Sequence, residues 1–137
     1  MGLIVDTSIA IRSARRGESV QQLIESLLQA FGPIPIAQSA ISAVELTHGI
    51  YRGKREEEKA KRRLFAEELF RDVPVIAITL EIARLAGRID GEQAAKGITI
   101  DFQDLVIGAT ALHLGYDILT LNVRHFQVIP GLHVQTI

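Results

Sequence analysis

Leu3-Ile4-Val5-Asp6-Thr7-Ser8 sets an apolar, β-favouring run directly against a carboxylate and two hydroxyls. The run is too short for a core helix and has the composition of a strand buried on both faces. Asp6 therefore marks the carboxyl end of a first strand, the edge at which open α/β sheets bind their ligands. Three more carboxylates recur in comparable settings. Glu45 lies in Ser39-Ala-Ile-Ser-Ala-Val-Glu45-Leu-Thr-His-Gly49, and Asp101 and Asp104 lie in Ile100-Asp-Phe-Gln-Asp104-Leu-Val-Ile-Gly-Ala-Thr-Ala-Leu112. Together they point to an acidic pocket for a hard divalent cation.

Outward from the first strand (Gly2 to Val5), Ser8 to Ala14 reads as a short helix. Ser19 to Phe31 carries Val20, Leu23, Ile24, Leu27, Leu28 and Phe31 at helical spacing and stops at Gly32-Pro33. Ile34-Pro35-Ile36 reads as a brief strand, Ala40 to Arg52 as a helix, and Arg55 to Phe70 as a second helix closed before Pro74. Val75 to Ile78 is a short strand or extended link, and Thr79 caps a helix bearing Ile82, Leu85, Ala86 and Ile89, with Gly97 ending that region. Phe102 to Leu114 is apolar on every side, with Gly108, Ala109 and Ala111 allowing close approach, so it is expected as a central buried helix ending at Gly115. Ile118 to Leu121 is a buried strand ending at Asn122, and Leu132 to Val134 a final edge strand. The pattern is α/β, with residues 1–137 expected to form a single domain.

Hydrophobic residues make up 47% of the chain and aromatics only 5%, so the core must come from Leu, Ile, Val and Ala. No apolar stretch approaches the roughly 20 residues of a membrane span, and no basic segment followed by a long apolar one opens the chain. A cytoplasmic protein is expected. Without cysteines there are no disulfides or thiolate zinc sites, and the four histidines never fall at close ligand spacing, leaving oxygen ligands. The net charge of −1 hides an uneven distribution, since ten of fifteen basic residues lie in two stretches. Arg12, Arg15 and Arg16 follow the first strand and are candidates for phosphate contact. Arg52, Lys54, Arg55, Lys59, Lys61, Arg62 and Arg63 interleave with Glu56, Glu57 and Glu58 as a helix face of local ion pairs would.

Each carboxylate alone has a plain structural reading. Asp6 suits a helix N-cap, Ser42-Ala-Val-Glu45 fits a capping box, and Asp101 and Asp104 suit a helix start, with Asp101 as cap. His48, His113 and His125 read as solvated or core histidines. Jointly the carboxylates mean more, because three or four of them at one sheet edge cannot all stay ionised without a cation. Mg²⁺, or Mn²⁺ in its stead, would acidify a water, orient it toward a phosphodiester and offset the developing charge, so no protein nucleophile is required.

The ordered set Ile4-Val-Asp6-Thr-Ser8, Ser42-Ala-Val-Glu45-Leu46 with Gly49-Ile50, Asp104-Leu-Val-Ile-Gly-Ala-Thr-Ala111, Leu119-Thr-Leu-Asn122, and His125-Phe126 with Pro130-Gly131-Leu132 resembles the PIN-domain ribonucleases of the VapC toxin type from about residue 2 to residue 134. The resemblance implies a three-layer α/β/α fold around a parallel sheet of four or five strands, Mg²⁺-dependent endonucleolytic cleavage of RNA, and restraint by a small VapB-type antitoxin. By position, Asp6 and Asp104 match the core metal-binding aspartates and Glu45 the middle acid. Asn122 falls where some relatives carry a fourth aspartate, with Asp101 a further acid and Thr7 and Ser8 supporting residues. The helices between Ser39 and Phe70 offer Ile50, Tyr51, Leu64, Phe65 and Leu69 as an interface for the antitoxin, and the resemblance implies a homodimer. Two rival classes are an α/β phosphotransfer or phosphatase domain, and a PIN-like protein that only binds a partner. The first would want an Asp-x-Asp after strand one and a late strand ending in lysine, both absent here; the intact acids speak against the second.

Overall fold

The computed structural model describes residues 1–137. Its sheet has five parallel strands in the order β3-β2-β1-β4-β5, formed by β1 (Leu3–Val5), β2 (Ile36–Ser39), β3 (Val75–Ile76), β4 (Asp117–Leu119) and β5 (Val134–Gln135). Leu3 pairs with both Ile36 and Asp117, and Val5 with Leu119, so β1 lies between β2 and β4. Strand order reverses there, which opens a crevice at the carboxyl ends of β1 and β4.

Alternation along β1 assigns its two faces. Leu3 and Val5 join Leu119 in a core with Ile9, Val20, Leu23, Leu27 and Leu69, supplied by α1 (Thr7–Arg15), α2 (Val20–Phe31) and α4 (Glu56–Asp72). Ile4 faces the other way, with Ile118, Ile82, Ile89, Leu105, Ile107 and Phe126, under α5 (Leu80–Ala94), α6 (Phe102–Leu114) and α7 (Val123–Gln127). The fold is thus three-layered, α/β/α, with α3 (Ala40–Tyr51) touching both cores through Ile41 and Leu46.

Helix α6 is the expected central element: Leu105 through Ala111 are all buried. Gly108 is needed there because a Cβ would strike the Ile129 side chain, and Gly115 closes the helix in the left-handed region at φ 68°. Thr79 caps α5 as expected, accepting from the Ile82 N–H at 3.3 Å. Several sequence expectations need correction. The second strand starts at Ile36 rather than Ile34, since Pro33 and Pro35 cannot donate and Pro35 contributes only its carbonyl, to the Leu3 N–H at 2.9 Å. Strand β2 runs into α3 without a loop, so the cap of α3 is Ser39, accepting from the Ile41 N–H at 3.2 Å, and the capping box at Ser42 and Glu45 does not exist. Asp6 and Asp101 stand at N-cap positions, but neither side chain makes a capping hydrogen bond. Ile50 and Leu69 belong to the interior rather than to an interface, and the short helix α7 was not expected.

Candidate active site

Asp6 emerges from β1 only 4% exposed, held in line by its own N–H, which continues the sheet ladder to the Leu119 carbonyl at 2.9 Å. Its Oδ2 accepts from the Ser8 hydroxyl and from the Thr120 hydroxyl, each at 2.7 Å. Thr120 is in turn fixed by the Asn122 N–H, which donates to its Oγ1 at 2.9 Å, and the Leu121 N–H donates to Ser8 Oγ at 3.1 Å. The loop after β4 is therefore tied through two hydroxyls to the carboxylate after β1. Next along α1, Thr7 donates to Glu45 Oε1 at 2.7 Å and lies 3.0 Å from the hydroxyl of the buried Ser42. One oxygen of each acid, Asp6 Oδ1 and Glu45 Oε2, accepts no hydrogen bond from the protein.

The opposite wall is the start of α6. Asp104 has a side chain 15% exposed, with Oδ2 3.2 Å from His125 Nδ1 on α7. Asp101, Asp104 and His125 each offer a ligand atom within 4.8 Å of the other two. Burial and the neighbouring charges of Asp6 and Asp104 hold the Glu45 carboxyl above its ordinary range, even though the Thr7 hydrogen bond works the other way. Burial and the charges of Asp6 and Asp101 raise Asp104 likewise, against the opposing pull of His125. Asp6, Glu45 and Asp104, far apart in sequence, thus feel one another as like charges in a partly dry crevice. Without a cation that arrangement is unfavourable; with one it becomes a set of hard oxygen donors.

Thr7 and Ser8, expected as supporting residues, hold Glu45 and Asp6 respectively. Asn122 caps α7 by position, makes no side-chain capping bond and enters the site through its backbone. Arg12 donates to the Ile137 backbone oxygen at 2.9 Å, whereas Arg15 lines a groove of about 700 Å³ between α1, α3 and α4. Ile11, Leu46, Leu64, Phe65 and Glu45 line it too, so the groove opens onto the acidic site. Lys59 and Arg62 make the expected pairs with Glu56 and Glu58, at 3.6 and 2.6 Å. Sequence alone assigns Thr120 no separate role, Ser42 the role of a helix cap and His125 that of a solvated or core histidine; the structure sets all three against site carboxylates or their hydroxyl partners. A hydroxyl directly after a buried strand was the available signal for Thr120; His125 had none beyond its place three residues, less than one helical turn, after Asn122.

A PIN domain profile matches residues 3–132. Ribonuclease VapC1 of Rickettsia felis is 35% identical over 137 residues, covering 100% of this chain and 97% of its own. Ribonuclease VapC19 of Mycobacterium tuberculosis is 33% identical over 129 residues, covering 94% and 95%. Among solved structures, VapBC-1 from nontypeable Haemophilus influenzae superposes with a TM-score of 0.81 at 26% identity, over 99% of this chain and 98% of the other. VapBC2 from Rickettsia felis, bound to a DNA fragment from its promoter, gives 0.82 at 21% identity over the same shares, a likeness of fold. The chain belongs to the PIN-domain family. Within it, the full-length likeness is to proteins of the VapC type.

Proposed function

We propose that this chain is a divalent-cation-dependent endoribonuclease, the toxin of a toxin–antitoxin pair, acting as a single domain in the cytoplasm. The observation that carries the reading is the convergence of Asp6, Glu45 and Asp104 at the β1–β4 crevice, where burial first, and the charges of their neighbours after it, raise the carboxyls of Glu45 and Asp104. Relatives named ribonuclease VapC support RNA as the substrate.

The donor set fits Mg²⁺, with Mn²⁺ able to replace it: hard carboxylate oxygens, two of them left without protein donors, in a crevice with an excess of negative charge. Asp6, Glu45 and Asp104 would hold the ion, with Asp101 adding charge at the rim. When bound, the cation supplies positive charge for the scissile phosphodiester and makes water a stronger acid. The chain's own residues do the rest. Ser8 and Thr120 fix the rotation of Asp6, Thr7 fixes Glu45, and the rigid start of α6 fixes Asp104, so the acids need no reorganisation during the reaction. Arg12, Arg15 and Arg16 are proposed contacts for the RNA backbone beside the site, Arg15 being the one that faces the groove.

The groove is also proposed to receive a segment of a VapB-type antitoxin. Half-buried Phe65 and exposed Leu64 offer apolar contacts, and Arg15, Lys61 and Glu68 offer charged ones, whereas the exposed Tyr51, expected on the same surface, does not line the groove. The structural neighbours carry VapBC names, and a homodimer is part of the same reading. The test is cleavage of single-stranded RNA by the purified protein with Mg²⁺, with EDTA, and with the neighbouring antitoxin added. Cleavage that needs Mg²⁺ and is blocked by the antitoxin is expected. Cleavage surviving EDTA, or none under any metal, would overturn the proposal.

A further inference from the structure

Phe102 is the first residue of α6, between Asp101 and Asp104, and 66% of it is exposed. It belongs to neither hydrophobic core. The other aromatics are differently placed: Phe126 is fully buried, while Phe31, Phe65, Phe70 and Tyr116 are at least half covered by the fold. Tyr51 is exposed, but at the far end of α3. Phe102 is therefore the one exposed aromatic ring flanked directly by acids of the crevice, Asp101 and Asp104, whereas Tyr51 stands six residues beyond Glu45 on α3. Side chains on a helix tilt toward its N-terminus, so the ring extends past the start of α6 instead of folding back onto Leu105 and Val106.

The electrostatics around it narrow what the ring can serve. The crevice holds Asp6, Glu45, Asp101 and Asp104, and no lysine or arginine makes an ion pair with any of them. A cationic side chain at this rim would pair with the acids and compete with a bound metal. An aromatic face adds affinity for a nucleotide without neutralising a ligand, because stacking acts on the uncharged base. It is also tolerant of base identity, since every base has a π-face, and it requires an unpaired base, which favours single-stranded RNA over a duplex.

We propose that Phe102 is a stacking platform for the base adjoining the cleaved phosphodiester, a binding residue that sets the register of single-stranded RNA across the acidic crevice. This rests on the ribonuclease reading above. The chain has no tryptophan, so Phe102→Trp introduces a sole indole reporter at the rim. Titrating that variant in Ca²⁺ with single-stranded octamers of uridine, adenosine or cytidine should quench its emission. An abasic ribose-phosphate octamer should bind at least about tenfold more weakly and quench little. In Mg²⁺, Phe102→Ala should raise KM for octamer cleavage about tenfold with kcat within about twofold, Phe102→Trp should restore KM, and an abasic residue beside the cleaved bond should erase the difference between wild type and Phe102→Ala. Equal quenching by the abasic octamer, or an unchanged KM in Phe102→Ala, would overturn the assignment. So would loss of a wild-type dimer in Phe102→Ala by light scattering, which would make the ring an interface with a second copy. If wild type cleaves no RNA, the ribonuclease reading fails and takes the assignment to a cleaved bond with it; cleavage by wild type with base-independent quenching of the Phe102→Trp variant would overturn the platform alone.

Discussion

The two walls of the crevice hold their acids by different means. On the β1 side, Asp6 and Glu45 are pinned by hydroxyls: Ser8 and Thr120 on one, Thr7 on the other, each at 2.7 Å. On the α6 side, no hydroxyl is involved; Asp104 is carried by a helix buried from Leu105 to Ala111 and faces His125 across 3.2 Å, with Asp101 at the exposed rim. The first wall orients carboxylates by neutral donors that leave their charge intact. The second relies on a rigid backbone and tolerates looser side-chain contacts. Preorganisation therefore comes from local bonds on one wall and from packing on the other.

Removing the charge should hurt both walls equally. Asp6→Asn and Asp104→Asn are each expected to lower kcat/KM for RNA at saturating Mg²⁺ by at least about 10²–10³-fold with an unchanged circular dichroism spectrum. A variant that kept near wild-type cleavage would remove its wall from the metal site.

Removing the orientation should separate them. Thr120→Val deletes a buried donor to Asp6 and the acceptor of the Asn122 N–H, and should weaken Mg²⁺ binding by calorimetry about tenfold. His125→Ala removes a side chain already 54% exposed, and a change of about threefold or less is expected. The reverse order would show that α7, and not the hydroxyl wall, governs the site.

The smallest effect concerns the metal-free protein. Glu45 and Asp104 have raised carboxyls when folded, so the folded state binds protons more tightly than the unfolded one, and the cost of their ionisation is fully present above the raised values. As pH falls through the raised values toward the ordinary 4.5 and 3.8, that cost is relieved, and below them the two groups no longer oppose folding. Asp104→Asn should consequently melt about 3 °C above wild type near neutral pH in EDTA, on the order of 1 kcal/mol, with the gap closing on acidification. Saturating Mg²⁺ should reverse the ranking at neutral pH. A gap independent of pH would mean that Asp104 is not repelled by its neighbours.

Legibility in the sequence followed the same division. The packing wall was plain, because Leu105 to Ala111 has no polar face and Gly115 stops it; the short apolar runs also end β1 just before Asp6, whereas β4 closes at Leu119, two residues before the expected Leu121. Hydrogen-bonding detail was not. Ser42 and Glu45 matched a capping pattern by spacing alone, yet β2 passes into α3 at Ser39, so Ser42 lies inside the helix and faces Thr7, thirty-five residues away. Ile50 and Leu69 looked surplus to the core because α4 is so charged, but Leu69 lies with Ala66 on the narrow stripe of α4 that packs inward, and Ile50 is buried near the end of α3. The five-residue α7 is shorter than two turns and carries no readable period. Contacts between residues distant in the chain leave no periodic trace, and they are what builds the hydroxyl wall.

Those distances along the chain also govern when the protein becomes complete. The bond from Thr7 to Glu45 spans 38 positions and that from Thr120 to Asp6 spans 114, while β1, the first strand made, finds its partner β4 near the other end of the sequence. A ribosome that has delivered the chain through α5 has made Asp6, Glu45 and β2 but neither Asp104 nor β4, the strand on the other side of β1, so the growing polypeptide holds part of a site and an unpaired edge of β1. On the ribonuclease reading, a product cut short before Asp104 lacks one of the three acids proposed to hold the metal, and one cut short before Thr120 lacks a hydroxyl that orients Asp6, so the interval before β4 docks is one in which the site is incomplete.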